Sequence, residues 1–127
     1  MADEKVSTEV DVTQFLIGYD GKPLTDPKMG PDGQPVKDEA GEIIREPVPF
    51  RTIVFTALEL VGRLDEDKSL APSVKMDAYR LAHKIATSDT VSLTTEELAL
   101  LEKRIGMAFP MNVVGACTMI LNPAKLA

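Results

Sequence analysis

Residues 93–121, LTTEELALLEKRIGMAFPMNVVGACTMIL, constrain the fold more than any other part of the chain. They open on Leu93-Thr94-Thr95-Glu96-Glu97-Leu98, which has the pattern of a helix start. Thr94 caps the helix, Glu97 three residues on returns the hydrogen bond, and Leu93 packs on Leu98 as a staple. Glu96 and Glu97 also suit the positive end of the helix dipole, so capping accounts for this carboxylate pair without acid–base chemistry. Leu98, Leu101, Ile105 and Ala108 then recur at helical spacing and leave Glu102, Lys103 and Arg104 outside the stripe. Pro110 breaks the helix, and residues 111–121 form another that contains no charged residue, before Asn122-Pro123 stops it. A helix so apolar has to be covered, either centrally by its own domain or by a second chain. Central burial is the expected arrangement and an oligomer interface the alternative, with Val114→Glu as the substitution that separates them. Gly106 and Gly115 read as spacers that let the two helices pack closely, and Cys117 as a core residue.

A chain of 127 residues is long enough to supply that cover as one domain without disulfide or metal staples. With two Tyr, four Phe and no Trp, the core has to be aliphatic and filled by Met. Phe50, Ile53, Val54, Ala57, Leu58, Val61 and Leu64 form one stripe and predict a helix near 50–64. Asp65, Asp67 and Ser69 match the first ligand positions of a calcium-binding EF-hand loop. Leu70 then stands where the turn glycine belongs and Met76 where the bidentate Glu belongs, so the segment reads as a solvated interhelical loop. A further helix near 73–87 follows Pro72, with Ser73 as its N-cap and Met76, Tyr79, Ala82, Ile85 and Ala86 facing inward. His83, the single histidine, lies on it with no catalytic partner in view and reads as a surface or packing residue. Residues 88–92 are a connector, and the last two helices lie near 95–109 and 111–121.

The first third of the chain differs in character. Residues 1–9 form a flexible N-terminal arm, and residues 10–127 a single compact domain. Val12, Phe15, Ile17 and Tyr19 predict a strand near 12–19, ended by Asp20-Gly21, and 43–48 is its returning partner in a small N-terminal β-hairpin. The fold class is therefore α+β, mostly α, with about four helices. Between the strands lies a long Gly/Pro-rich loop, 20–49, with an internal echo: Asp20-Gly21-Lys22-Pro23-Leu24-Thr25-Asp26 is followed by Asp32-Gly33-Gln34-Pro35-Val36-Lys37-Asp38. Two turn units in tandem explain it. The six-residue recurrence of Asp20, Asp26, Asp32 and Asp38 is too wide for a compact calcium loop. A loop this long is a functional excursion, and Asp20, Lys22, Asp26, Lys28, Asp32, Gln34, Lys37 and Asp38 are its candidate partner-binding residues.

Several function classes lose support from composition. A net charge of −6, with basic residues scattered among acidic ones, argues against a nucleic-acid surface. The lone Cys117 rules out an internal disulfide or thiolate metal cluster, the polar N-terminus reads as neither signal nor transit peptide, and no apolar run reaches the ~20 residues of a membrane span. No phosphate-cradling loop, nucleophile elbow or metal-ligand cluster is present, so neither an enzyme nor a cofactor is expected.

The order and spacing of Asp20-Gly21-Lys22-Pro23-Leu24, Ala57-Leu58, Tyr79-Arg80-Leu81-Ala82-His83-Lys84-Ile85, Leu93-Thr94-Thr95-Glu96-Glu97, Ile105-Gly106-Met107-Ala108 and Val113-Val114-Gly115 resemble a family of small proteins encoded by tailed bacteriophages and prophages. The resemblance spans 20–121. It departs in the longer loop between Asp26 and Glu42 and in the tail 122–127. It implies a phage origin and a compact fold, and it brings no catalytic residues, since the family has no established reaction. The expectation is a non-enzymatic protein in the bacterial host cytoplasm or the virion. It acts on a phage or host protein and is a possible homo-oligomer, either as a particle assembly component or as an inhibitor of a host enzyme or defence system.

Overall fold

A computed structural model describes residues 7–126. The fold is α+β with four α-helices: α1 (Phe50–Glu59), α2 (Pro72–Ala86), α3 (Thr95–Ala108) and α4 (Met111–Leu121). Strands β1 (Ser7–Asp11) and β4 (Thr90–Thr94) pair antiparallel, with Val10 opposite Val91 and Thr8 opposite Leu93. Strands β2 (Thr25–Pro27) and β3 (Arg45–Pro47) form a second, separate antiparallel pair. Of the expected N-terminal arm, residues 1–6 lie outside the described residues, while Ser7 to Glu9 belong to β1.

The core is built around α3. α1 and α4 both pack on it, and α2 packs on α1. Phe50, Val54, Leu81, Ile85, Leu101, Ile105 and Leu121 are fully buried, joined by Val10, Val91 and Leu93 from the inner face of the β1–β4 pair. Strand β4 runs straight into α3, so Thr94 is both the last strand residue and the N-cap. The expected capping box is present: Thr94 Oγ1 accepts from Glu97 N at 3.1 Å, and Thr94 N donates to Glu97 Oε1 at 2.9 Å. Of the expected connector 88–92, only residues 88 and 89 connect; Thr90, Val91 and Ser92 already belong to β4 and pair with β1.

Three helix details differ from expectation. α1 stops at Glu59, and residues 60–64 turn away through Gly62, whose φ is +91°. α2 begins at Pro72 with Ala71 as N-cap, and Ser73 is inside the helix, because proline at the first helical position fixes the start one residue earlier. α2 also buries Ala78, Leu81 and Ile85, leaving Met76 and Tyr79 exposed. Its two sides carry similar apolar weight, and the side with the small Ala78 is the one that approaches α1.

The largest departure is the loop. Residues 14–50 form three successive hairpins with the same three-residue turn. Gly18 N donates to Lys22 O, Gly30 N to Gln34 O, and Asp38 N to Glu42 O, each at 2.8 Å. Gly21, Gly33 and Gly41 close the turns at φ 80°, 79° and 81°, the left-handed residue that a three-residue hairpin loop demands. Backbone bonds then tie the three hairpins into two closed triangles. In the first, Leu16 N donates to Val48 O, Val48 N to Leu24 O, and Leu24 N to Leu16 O, at 2.9–3.0 Å. In the second, Lys28 N donates to Ile44 O, Ile44 N to Val36 O, and Val36 N to Lys28 O, at 2.8–2.9 Å. The short β2–β3 ladder joins one triangle to the other. The expected strands 12–19 and 43–48 do meet, through the Leu16–Val48 bond and the bridge between Phe15 and Pro49, but the regular ladder belongs to 25–27 and 45–47.

Candidate interaction surfaces

The first triangle is the root of the arm: Leu16 and Val48 are in the core and Leu24 packs against it. Beyond it, no residue of 25–47 is buried. Order in this projection therefore comes from backbone hydrogen bonds and turn chemistry rather than from an apolar interior. Asp20 Oδ1 accepts from Lys22 N and Asp32 Oδ1 from Gln34 N, both at 3.0 Å. A Cβ on Gly18 or Gly30 would come within 3.1 Å of those carboxylates, so glycine precedes each Asp by two residues. The third turn swaps the roles. Asp38 stands at the glycine's place, and its own Oδ1 accepts from Ala40 N at 2.9 Å and Glu42 N at 3.0 Å.

These contacts sort the eight candidate residues. Asp20, Asp32 and Asp38 form the turns, and Gln34 contributes its amide to the second. Lys28 supplies backbone to the outer triangle, and Lys37 bridges to Ile43. Lys22 and Asp26 are exposed, and Asp26 lies opposite Glu46 on β3, a like-charge pair. The eight are spread along the arm and do not converge on one point. What the arm presents instead is an acidic surface with Met29, Ile43 and Ile44 exposed among the charges. Eleven acidic and five basic residues precede Phe50, and nine of each follow, so the whole net charge of −6 lies in the first 49 residues.

A second surface lies on α4, the helix whose apolar sequence left central burial and an interface as alternatives. α4 is not central: it buries Ala116, Cys117 and Leu121 and turns Met111 and Met119 outward. Val114 is half-buried over a shallow cleft against Leu98 and Glu102 of α3. The outward ridge meets the first hairpin, and together they form a cleft of about 510 Å³ whose walls include Phe15, Ile17, Tyr19, Ala116 and Met119. Gly106 and Gly115 are not packing spacers, because a Cβ added to either meets no atom within 4 Å. The signal available was Met111-x-x-x-Gly115-x-x-x-Met119, one ridge of a helix.

The interhelical loop also departs from expectation. Asp67 is buried, and so is Arg104, which is 2% exposed. The two form a two-pronged pair, Nη1 to Oδ1 at 2.8 Å and Nη2 to Oδ2 at 2.7 Å, and Asp67 Oδ2 also accepts from Gly62 N at 2.9 Å. The Arg104 guanidinium holds the Asp67 carboxyl far below the usual carboxylate range, and the carboxylate in turn raises Arg104. Arg104 was legible in principle, three residues after Leu101 and on the inner stripe.

The pair clamps the α1–α2 turn to α3, and its two charges are spent on each other. Cys117 is equally inert: burial pushes its thiol up to about 12. Among the described residues, no three of His, Cys, Asp and Glu come together to hold a metal ion. No protein-family model, curated protein or solved structure matches this chain.

Proposed function

We propose that this chain is a non-enzymatic protein that works through protein contacts, as an assembly component of a phage particle. The single observation that carries the reading is the arm of residues 25–47, which is braced by a closed backbone triangle yet contributes no buried residue to the core. An element ordered at such a distance from the core serves something outside it, and being ordered beforehand it binds without the entropic cost of folding on its partner. The phage assignment rests on the sequence resemblance set out above. In the host cytoplasm or the virion, the arm inserts Met29, Ile43 and Ile44 into a neighbouring particle protein while its acidic flanks set the orientation.

Mass spectrometry of purified particles and assembly intermediates tests this. The chain is expected in at least one of them in fixed proportion, and its absence from all of them overturns the assembly role. The concentration of acid in the first 49 residues favours one second reading, an inhibitor that docks on a basic face of a host enzyme or defence protein. That reading requires a host protein retained on the immobilised chain at low salt and released at high salt.

A further inference from the structure

The first candidate partner is a second copy of the same chain. We infer that the outward ridge of α4 is a self-association face, on which the α4 of a second copy crosses at Gly115. This rests on the protein-contact reading and names its surface and occupant.

Three observations carry it. The first is area. Phe15, Ile17, Tyr19, Met111 and Met119 are between 48% and 88% exposed. With ~150–250 Å² for each whole side chain, they leave ~500–800 Å² in one patch, at or above the upper end of the ~300–600 Å² of the largest patch on a typical monomer. A stable interface takes ~800 Å² from each partner, so this patch with its rim is the right size for one.

The second is charge. Among the described residues, no charged side chain lines the cleft between α4 and the first hairpin, although the chain as a whole carries −6. A two-fold contact sets a surface against itself, and any charge there faces its own kind. A charge-free patch on an otherwise acidic chain is what such a contact needs, whereas a basic partner finds nothing in the cleft to pair with.

The third is shape. Met111, Gly115 and Met119 follow one another at four-residue spacing, a ridge with a notch in the middle. Glycine inside a helix is unfavourable, and none of the described residues fills the space a Cβ would occupy at Gly115. Two such ridges cross with the notches facing, each Met seating beside the other helix, the interdigitation that gives the commonest helix-crossing angle.

Analytical ultracentrifugation of the full chain across the micromolar range tests the inference, with circular dichroism reporting the fold of each variant. The wild type is expected to reach twice the 13.8 kDa of one chain. Gly115→Leu fills the notch and weakens the dimer by at least about tenfold, as overpacking a close contact does. Gly106→Leu, equally free of neighbours but on α3, leaves the dimer unchanged. Met119→Lys, at an exposed position, supplies the answer if Gly115→Leu does not fold, because two lysines then face each other across the axis.

A wild type that stays monomeric at every concentration overturns the inference, as does a dimer indifferent to both ridge substitutions. A monomer whose incorporation into particles is lost on Met119→Lys assigns the face to a different protein and overturns it as well. None of these results touches the assembly reading, which fails only if the chain is absent from the particle and its intermediates.

Discussion

The two backbone triangles make a prediction about how the arm comes apart. Gly33→Ala and Gly41→Ala put a methyl group at φ 79° and 81°, where a Cβ meets no atom within 4 Å, so the cost is backbone strain alone. That strain is ~1–2 kcal/mol, offset by ~0.4–1 kcal/mol from the stiffer unfolded chain, for a net ~1 kcal/mol or about a fivefold rise in local opening. The second and third hairpins share Val36, which donates to Lys28 and accepts from Ile44. Either substitution is therefore expected to speed exchange of the Lys28, Val36 and Ile44 amides together, by about fivefold, while the urea midpoint stays put. Gly21→Ala carries the same local cost but acts on the triangle of Leu16, Leu24 and Val48, two of which are buried in the core. It is expected to lower global stability by ~1 kcal/mol. Native-state hydrogen exchange by NMR, paired with urea titration, reads both. Acceleration confined to Val36 after Gly33→Ala refutes cooperative opening, and an unmoved midpoint after Gly21→Ala refutes the division into root and tip.

The other predictions concern the body. Asp67 has a folded-state pKa far below its ordinary value, so its contribution is complete above about pH 4 and is lost as pH falls. Asp67→Asn is expected to be less stable than wild type at neutral pH and to change less between pH 5 and pH 2. Parallel acid dependences in urea titrations contradict this. Arg104→Met strands a buried carboxylate and is expected to cost more than the double change Asp67→Leu with Arg104→Met, measured by thermal denaturation. Thr94→Ala removes one half of the capping box and is expected to cost ~1 kcal/mol, again by urea titration. Cys117, buried with its thiol raised to about 12, is expected to resist alkylation at pH 8 until the protein unfolds. Labelling of the native chain at the rate of a free thiol refutes that.

What was legible in the sequence follows from how local each signal is. The capping box at Thr94 and Glu97 is complete within four residues, so it appears in the structure as expected. The stripe of α1 is dense enough to fix its inner face, with Phe50, Ile53, Val54, Ala57 and Leu58 all buried. α2 offered two faces of similar apolar weight, and the choice between them is made by α1, which its own residues cannot encode. The pairing of Asp67 with Arg104 joins residues 37 positions apart, so neither half announces it. Arg104 looked solvated because charge was weighed above its place on the stripe. For α4 the absence of charge was plain, but whether its apolar surface faces the core or a second chain depends on how much cover the domain has left. It covers one side.

The arm shows where pattern reading stops and chemistry has to take over. Its first two turns repeat at twelve residues with Asp-Gly and a following proline, and that echo is visible by eye. The third follows the second by only eight residues, with neither the Asp-Gly pair nor the proline. It is nonetheless the same turn, because the requirement is a carboxylate oxygen near the loop amides and a left-handed residue at the fourth position. Asp38 meets the first from the glycine's place and Gly41 meets the second. In each hairpin the residues that join a triangle, Leu16 and Leu24, Lys28 and Val36, and Val36 and Ile44, lie two positions outside the pair that closes the turn, so one turn geometry serves both triangles. Conversion of the third unit to the pattern of the first two, Asp38→Gly with Ala40→Asp, is therefore expected to preserve the outer triangle, whereas Asp38→Gly alone removes the carboxylate and opens it. Exchange at Ile44 N, which donates to Val36 O at 2.9 Å, separates the two cases. Equal acceleration in both variants means that the triangle depends on the identity of Asp38 and not on where the carboxylate is.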